Sequence, residues 1–196
     1  MKTGTVWIIL VRYPMKGKEN KKMKLKKTKE LVTASLFAAV ICAATFAVKI
    51  PSPATGGYFN LGDCFVILSG LFLSPVYGAL AAGLGSALAD VLSGYVQYAP
   101  ATFVIKAVMA FSVFFIARAF RNKNGILSKL ISAFVAETIM VVAYFGYEAL
   151  ILGFGLAAAG SILSNVMQGI IAIAASTVIS AALGKSKAFS DFSTKG

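Results

Sequence analysis

The 196-residue chain contains no histidine, and that absence removes Ser-His-Asp and Cys-His catalysis, HExxH zinc sites and a histidine-ligated haem together. Cysteine is nearly absent as well. Cys42 and Cys64 lie inside apolar runs without CxxC spacing, so neither a redox motif nor a zinc site is written, and both read as small hydrophobes facing lipid or core. Charge is scarce: 13% of residues are charged and only seven are acidic, well below what covers a soluble core. What is abundant is apolar surface, with 58% hydrophobic residues and a mean hydropathy of +0.82. A bilayer must cover what charge does not. The net charge of +12 would suggest nucleic acid in a soluble protein, but ten of the nineteen Lys and Arg precede residue 31, which is a topology signal and excludes a nucleic-acid reading.

Residues 1–29 read as a basic cytoplasmic tail, whose one apolar run, Val6-Trp7-Ile8-Ile9-Leu10-Val11, is too short to span a bilayer. Met23 opens a cationic lead-in, so residues 1–22 read as an extension with the start expected at Met23. The apolar stretch that follows lacks a small-x-small cleavage site and is expected to be an uncleaved helix. Six hydrophobic segments follow, at residues 30–49, 60–74, 76–95, 100–119, 126–150 and 157–183, giving an all-α membrane domain over 30–185 and a cytoplasmic tail over 186–196. The second is weak, since fifteen residues rise only about 22 Å against roughly 30 Å of hydrocarbon. Pro51, Pro53, Gly56 and Gly57, then Ser74-Pro75, then Pro100, punctuate the boundaries. Six spans place both termini inside, together with Arg118, Arg121, Lys123 and Lys129 of the fourth connection and Lys185, Lys187 and Lys195 of the tail.

With that topology the polar residues collect in the outer half. Asn60 and Asp63 open the second segment, Asp90 lies near the outer end of the third, Lys106 about 9 Å into the fourth, and Glu148 at the outer end of the fifth. Asn165 and Gln168, three apart on one face of the sixth, join them, and Tyr58, Tyr95, Tyr98, Tyr144 and Tyr147 surround the same level. Only Glu137 lies near mid-membrane, spaced to share a face with Tyr144 and Glu148. The pattern is an outward-facing polar and aromatic cup above an inner half nearly free of charge, suited to a small polar solute rather than to a proton relay or channel. Plainer readings stand beside each feature: Asn60 and Asp63 fit an N-cap and a first-turn acid, Lys106 a structural ion pair with Asp90 or Glu148, and the tyrosines an interfacial belt.

Small residues form a second constellation. The first segment carries Ala34 and Ala38, and beside them Ser35, Ala39, Ala43 and Ala47; the third carries Ala79, Gly83 and Ala87 beside Gly78, Ala82 and Ser86. Such stripes let helices approach closely, within the chain or against a membrane partner. Two apparent nucleotide motifs fail. Gly83-Leu84-Gly85-Ser86 has Leu88 where a third glycine belongs and sits inside an apolar helix, and Gly184-Lys185-Ser186 has Ile179 where a P-loop needs glycine.

Four blocks in order carry a family resemblance: Gly57-Tyr58-Phe59-Asn60-Leu61-Gly62-Asp63, Ser74-Pro75-Val76-Tyr77-Gly78-Ala79, Gly83-Leu84-Gly85-Ser86-Ala87-Leu88-Ala89-Asp90, and Tyr98-Ala99-Pro100-Ala101-Thr102-Phe103-Val104-Ile105-Lys106. Over residues 23–185 the chain resembles a substrate-binding S component of an energy-coupling factor (ECF) vitamin transporter, of the branch that includes pyridoxine and hydroxymethylpyrimidine carriers. The resemblance implies six helices in a bacterial cytoplasmic membrane and capture of a vitamin from outside. It also implies association with a transmembrane coupling protein and two cytoplasmic ATPases, with no enzyme activity and no cofactor of its own. The family's docking motif maps onto Ala34 and Ala38 with Ser35 and Ala39 adjacent, and its lid onto the Pro51–Tyr58 stretch. Stacking rings and mixed polar groups suit a small heteroaromatic cargo, pyridoxine-like or aminopyrimidine-like; riboflavin, pantothenate and a queuosine precursor stay open, whereas nickel or cobalt is disfavoured without histidine. The competing readings are an ion-coupled secondary transporter built on Glu137 and an intramembrane enzyme using paired carboxylates.

Overall fold

A computed structural model describes residues 16–51, 58–120 and 125–183. The elements are α1 (Lys16–Ala47), β1 (Lys49–Pro51), β2 (Tyr58–Asn60), α2 (Asp63–Phe72), α3 (Pro75–Leu92), α4 (Ala99–Ala119), α5 (Gly125–Gly146) and α6 (Gly160–Leu183). A π turn (Tyr147–Ile151) and a 3-10 turn (Gly155–Ala159) connect α5 to α6. Proline starts helices as the sequence requires: Pro75 opens α3 behind an extended Ser74, and Pro100 lies in the first turn of α4. Gly94 and Gly153 end α3 and the π turn with φ of 83° and 76°, a region that costs other residues.

Three features differ from the sequence reading. The first helix is continuous through residue 30, so the basic stretch from Lys16 onward is helical and runs without a break into the first apolar segment. The second segment is a helix of ten residues, rising about 15 Å, too short to cross roughly 30 Å of hydrocarbon. Five helical stretches are long and apolar enough to cross: Lys24–Ala47, Pro75–Leu92, Ala99–Ala119, Gly125–Ile151 and Gly155–Leu183. Finally, the chain pairs two three-residue antiparallel strands, Lys49 opposite Asn60 and Pro51 opposite Tyr58, where only helices were expected. Residues 52–57 of the expected lid lie outside the described residues, as do Arg121, Lys123, the tail and the Gly184-Lys185-Ser186 motif.

The bundle packs small residues inward and turns large ones outward. On α3, Gly78, Ala81, Ala82, Gly85, Ser86 and Ala89 are buried, whereas Leu80, Leu84, Leu88 and Val91 are exposed. Such a face lets backbones approach until van der Waals packing and lipid do the rest. A Cβ on Gly85 would meet the Ala38 carbonyl of α1 at 2.5 Å, and one on Gly70 would run into the Ala110 carbonyl of α4. Ile41, Ile67, Met109 and Met140 fill the centre. At the end opposite the strands, Glu30 accepts from the Ser74 amide (3.1 Å), and the Lys129 ammonium donates to the Ser180 carbonyl (3.2 Å). Arg118 lies over the Phe114 ring, 3.4 Å from its centroid. Cys42 and Cys64 are both free thiols, the second buried.

Candidate functional site

A cleft opens where α1, α3 and α5 end and α2, α4 and α6 begin, holding about 530 Å³ of open volume including its mouth. Helical periodicity explains which residues wall it. Ser86 and Asp90 on α3, Thr102 and Lys106 on α4, Ser161 and Asn165 on α6, and Ser164 and Gln168 on α6 are each four apart, and all eight line the cleft. Tyr144 and Glu148 share the wall from α5 and the π turn, Thr45 closes it from α1, and Tyr58, Asn60 and Tyr98 enter from β2 and the turn before α4.

Beneath the wall runs a buried network. Lys106 Nζ donates to Asp63 Oδ1 at 2.5 Å, with the two side chains 3% and 1% exposed. The Gln168 amide donates to Asp63 Oδ2, and Gln168 Oε1 accepts from the Asn60 backbone amide at 2.6 Å. Asn60 Oδ1 in turn accepts from Gly62 N at 2.8 Å. Asn60 therefore shapes the turn into α2 instead of capping it, since the cap position is Gly62, and Lys106 pairs with Asp63 instead of the expected Asp90 or Glu148. Lys106 Nζ also lies 5.3 Å from the Tyr144 ring centroid.

A second layer ties carboxylates to hydroxyls. Tyr58 donates to Asp90 Oδ1 (2.6 Å), Tyr98 to Glu148 Oε1 (3.2 Å), and Ser161 to Glu148 Oε2. The Thr102 and Tyr144 hydroxyls share a hydrogen bond of 2.8 Å. Burial, and then the adjacent Asp90 carboxylate, push the Tyr58 phenol above its ordinary range, so it stays a donor. Three groups around the cleft are left over, the first being Ser86, whose Oγ has no hydrogen-bond partner among the described residues. Asp90 Oδ2 has no hydrogen-bond partner among the described residues, and neither oxygen of Glu137 has one. Glu137 is buried behind the wall, where Gly169 makes room for it: a Cβ there would come within 3.1 Å of Glu137 Cβ.

Among the residues singled out from sequence, Tyr58, Asn60, Asp90, Tyr98, Lys106, Tyr144, Glu148, Asn165 and Gln168 meet at the cleft. Asp63, Tyr95 and Tyr147 stand outside its wall. Asp63 lies under Lys106, Tyr95 packs at a tilt against Tyr58 with centroids 4.7 Å apart, and Tyr147 donates to the Gln97 carbonyl while its ring lies 6.0 Å from that of Tyr98. The hydroxyls of Thr45, Ser86, Thr102, Ser161 and Ser164 were missed because an uncharged hydroxyl is unremarkable in an apolar helix. Their four-residue spacing from Asp90, Lys106, Asn165 and Gln168 is the signal that finds all but Thr45. On α1 the small-residue stripe splits: Ala34 is buried against Leu73 and Ala81, Ala38 is half-buried over Gly85, and Ser35, Ala39 and Ala43 are exposed.

Comparison with known proteins agrees with this architecture. The family model for the ECF-type riboflavin transporter S component matches residues 25–185. A Pyrococcus woesei relative described as an uncharacterized protein in the gap 3′ region is 32% identical over 133 residues, covering 68% of this chain and 86% of its own length. A structure described as that of the S component of a bacterial ECF transporter superposes with a TM-score of 0.61 at 22% identity, covering 81% of this chain and 96% of its own; the likeness is one of fold. The buried polar cleft within an apolar bundle and the match over most of the chain lead to one conclusion: the protein belongs to the family of ECF-type riboflavin transporter S components, multi-pass membrane subunits that bind the transported substrate.

Proposed function

We propose that this chain captures a small water-soluble vitamin or vitamin precursor from outside the cell, a pyridoxine-like or hydroxymethylpyrimidine-like heteroaromatic. A transmembrane coupling protein and two cytoplasmic ATPases then drive its uptake. The observation that carries the reading is the composition of the cleft: Tyr58 and Tyr98 supply ring faces, while Asn165, Ser161, Ser164 and Thr102 supply directed donors and acceptors around them. That combination suits stacking on a small ring plus a few oriented hydrogen bonds. Basic residues concentrated at the opposite end support an orientation with both termini in the cytoplasm and the cleft facing out of a bacterial cytoplasmic membrane. The exposed row Ser35, Ala39 and Ala43 offers the coupling protein a close-approach face, with Ala34 and Ala38 holding α1 to α3 behind it.

The test is to purify the protein alone in mild detergent, denature it, and identify released small molecules by mass spectrometry. A stoichiometric vitamin supports solitary high-affinity capture and names the cargo. An empty protein that also binds none of the B vitamins sinks the reading. The unpartnered carboxyl of Glu137 favours one competitor, an ion-coupled carrier. Uptake by vesicles holding this chain alone, driven by an ion gradient and abolished by Glu137→Gln, would establish that competitor.

A further inference from the structure

The cleft wall carries two carboxylates, Asp90 and Glu148, and one ammonium, Lys106. All three are buried, at 4%, 3% and 3% exposure. Lys106 is already committed: its Nζ lies 2.5 Å from Asp63 behind the wall, and the two charges cancel. Lys49, on β1 opposite Asn60, donates to Ser93 Oγ (3.0 Å) and sits 4.1 Å from the Phe46 ring centroid, so it too is engaged elsewhere. Glu137 behind the wall brings no positive charge. Asp90 and Glu148 thus have no salt-bridge contact among the described residues, and Lys106 acts on Asp90 only through space while it is bonded to Asp63.

The two carboxylates differ in what they still need. Both oxygens of Glu148 accept from hydroxyls, Tyr98 and Ser161. Asp90 accepts from Tyr58 at Oδ1 only, and although the Thr102 hydroxyl approaches from α4, Oδ2 has no donor within hydrogen-bond geometry. A buried carboxylate oxygen without a partner is costly unless something that binds there completes it. Beside it lies aromatic surface: the Tyr58 ring packs at a tilt against Tyr95, centroids 4.7 Å apart, and Tyr95 meets Tyr98 edge-on at 6.4 Å. Ring faces next to an open carboxylate make a combination that attracts a positively charged nitrogen, through cation–π contact and a charge-assisted hydrogen bond.

From this we infer that the cargo binds as a cation, a small heteroaromatic carrying a primary ammonium whose N–H donates to Asp90 Oδ2. The inference rests on the capture reading above and adds the charge of what is captured. A neutral alcohol can complete the hydrogen bond but leaves both carboxylates without countercharge, and an anion adds a third negative charge to the same low-dielectric cleft.

The experiment measures affinities of the purified full-length protein at pH 7 for two pairs that differ only by an ammonium in place of a hydroxyl. One is pyridoxamine against pyridoxine; the other is 4-amino-5-aminomethyl-2-methylpyrimidine against its 5-hydroxymethyl counterpart. Riboflavin serves as a larger neutral probe. The expected result is a preference for the ammonium member of about tenfold or more in whichever pair binds, the scale of one charge-assisted hydrogen bond. Asp90→Asn keeps an acceptor for Tyr58 and is expected to bring the two members to within about twofold of each other. Equal affinity within the pairs, preference for the alcohol, or binding of riboflavin alone overturns the charge assignment while vitamin capture stands. Failure of every probe to bind overturns capture and the charge assignment together. The comparison on the unaltered protein decides the question even if Asp90→Asn does not fold.

Discussion

Lys106 of α4 reaches across the bundle to Asp63 of α2, Nζ to Oδ1 at 2.5 Å, and the pair has almost no access to solvent. A buried pair of this kind is expensive to break from one side, because the remaining charge has no water to turn to. Lys106→Met is therefore expected to cost about 3–5 kcal/mol of stability, and Lys106→Met with Asp63→Asn to recover most of it. Thermal melting in detergent reads both. A single variant as stable as the parent would show that the pair carries no such energy.

Tyr58 links the strand pair to α3 through Asp90. Its phenol is held above the ordinary tyrosine value of about 10, first by burial and then by the Asp90 carboxylate. Because the folded value is the higher one, the protonated phenol's contribution to stability is complete below about pH 10 and is lost as pH rises above that toward the folded value. The parent protein should out-melt Tyr58→Phe by a constant margin between pH 6 and 9, about 1–3 kcal/mol, and the margin should shrink above about pH 10. A margin that does not change up to pH 11 argues against this linkage.

Gly85 marks where α1 and α3 touch, since a Cβ there would lie 2.5 Å from the Ala38 carbonyl. Gly146, by contrast, has nothing within 4 Å of an added Cβ and has helical φ and ψ. Gly85→Ala is expected to destabilise by about 1–3 kcal/mol through overpacking, whereas Gly146→Ala is expected to be neutral or to stabilise by up to about 1 kcal/mol. Melting midpoints of the two variants, measured side by side, separate packing from backbone entropy.

Ala39 lies on the exposed row of α1, away from the cleft and from the α1–α3 contact. Ala39→Trp is expected to leave vitamin affinity intact and to lower ATP-driven uptake roughly tenfold or more, the effect of about 1.4 kcal/mol at a docking face. Co-purification with the coupling protein should fall in parallel. Loss of binding affinity instead would place Ala39 in the capture step.

The sequence by itself determined the class of this protein. Missing histidine, sparse charge and long apolar segments leave a multi-pass helical bundle, and proline marks where α3 and α4 begin. The level of the cleft was legible too, because charge in an apolar segment is too costly to lie anywhere without purpose, and depth follows from the residue rise. Periodicity alone could have added Ser86, Thr102, Ser161 and Ser164 to that level. Partnership was decided only by the tertiary structure. Nothing in the spacing says that Lys106 meets Asp63, 43 residues away, or that Gln168 spans 108 residues to hold the Asn60 amide. The short α2 and the strand pair likewise came from packing: ten helical residues and two three-residue strands are too brief to be set by local preference and exist because α4 and α6 hold them. The split of the α1 stripe has the same origin. Ala34 and Ser35 are alike in size in the sequence, and only the approach of α3 makes one of them interior and leaves the other facing outward.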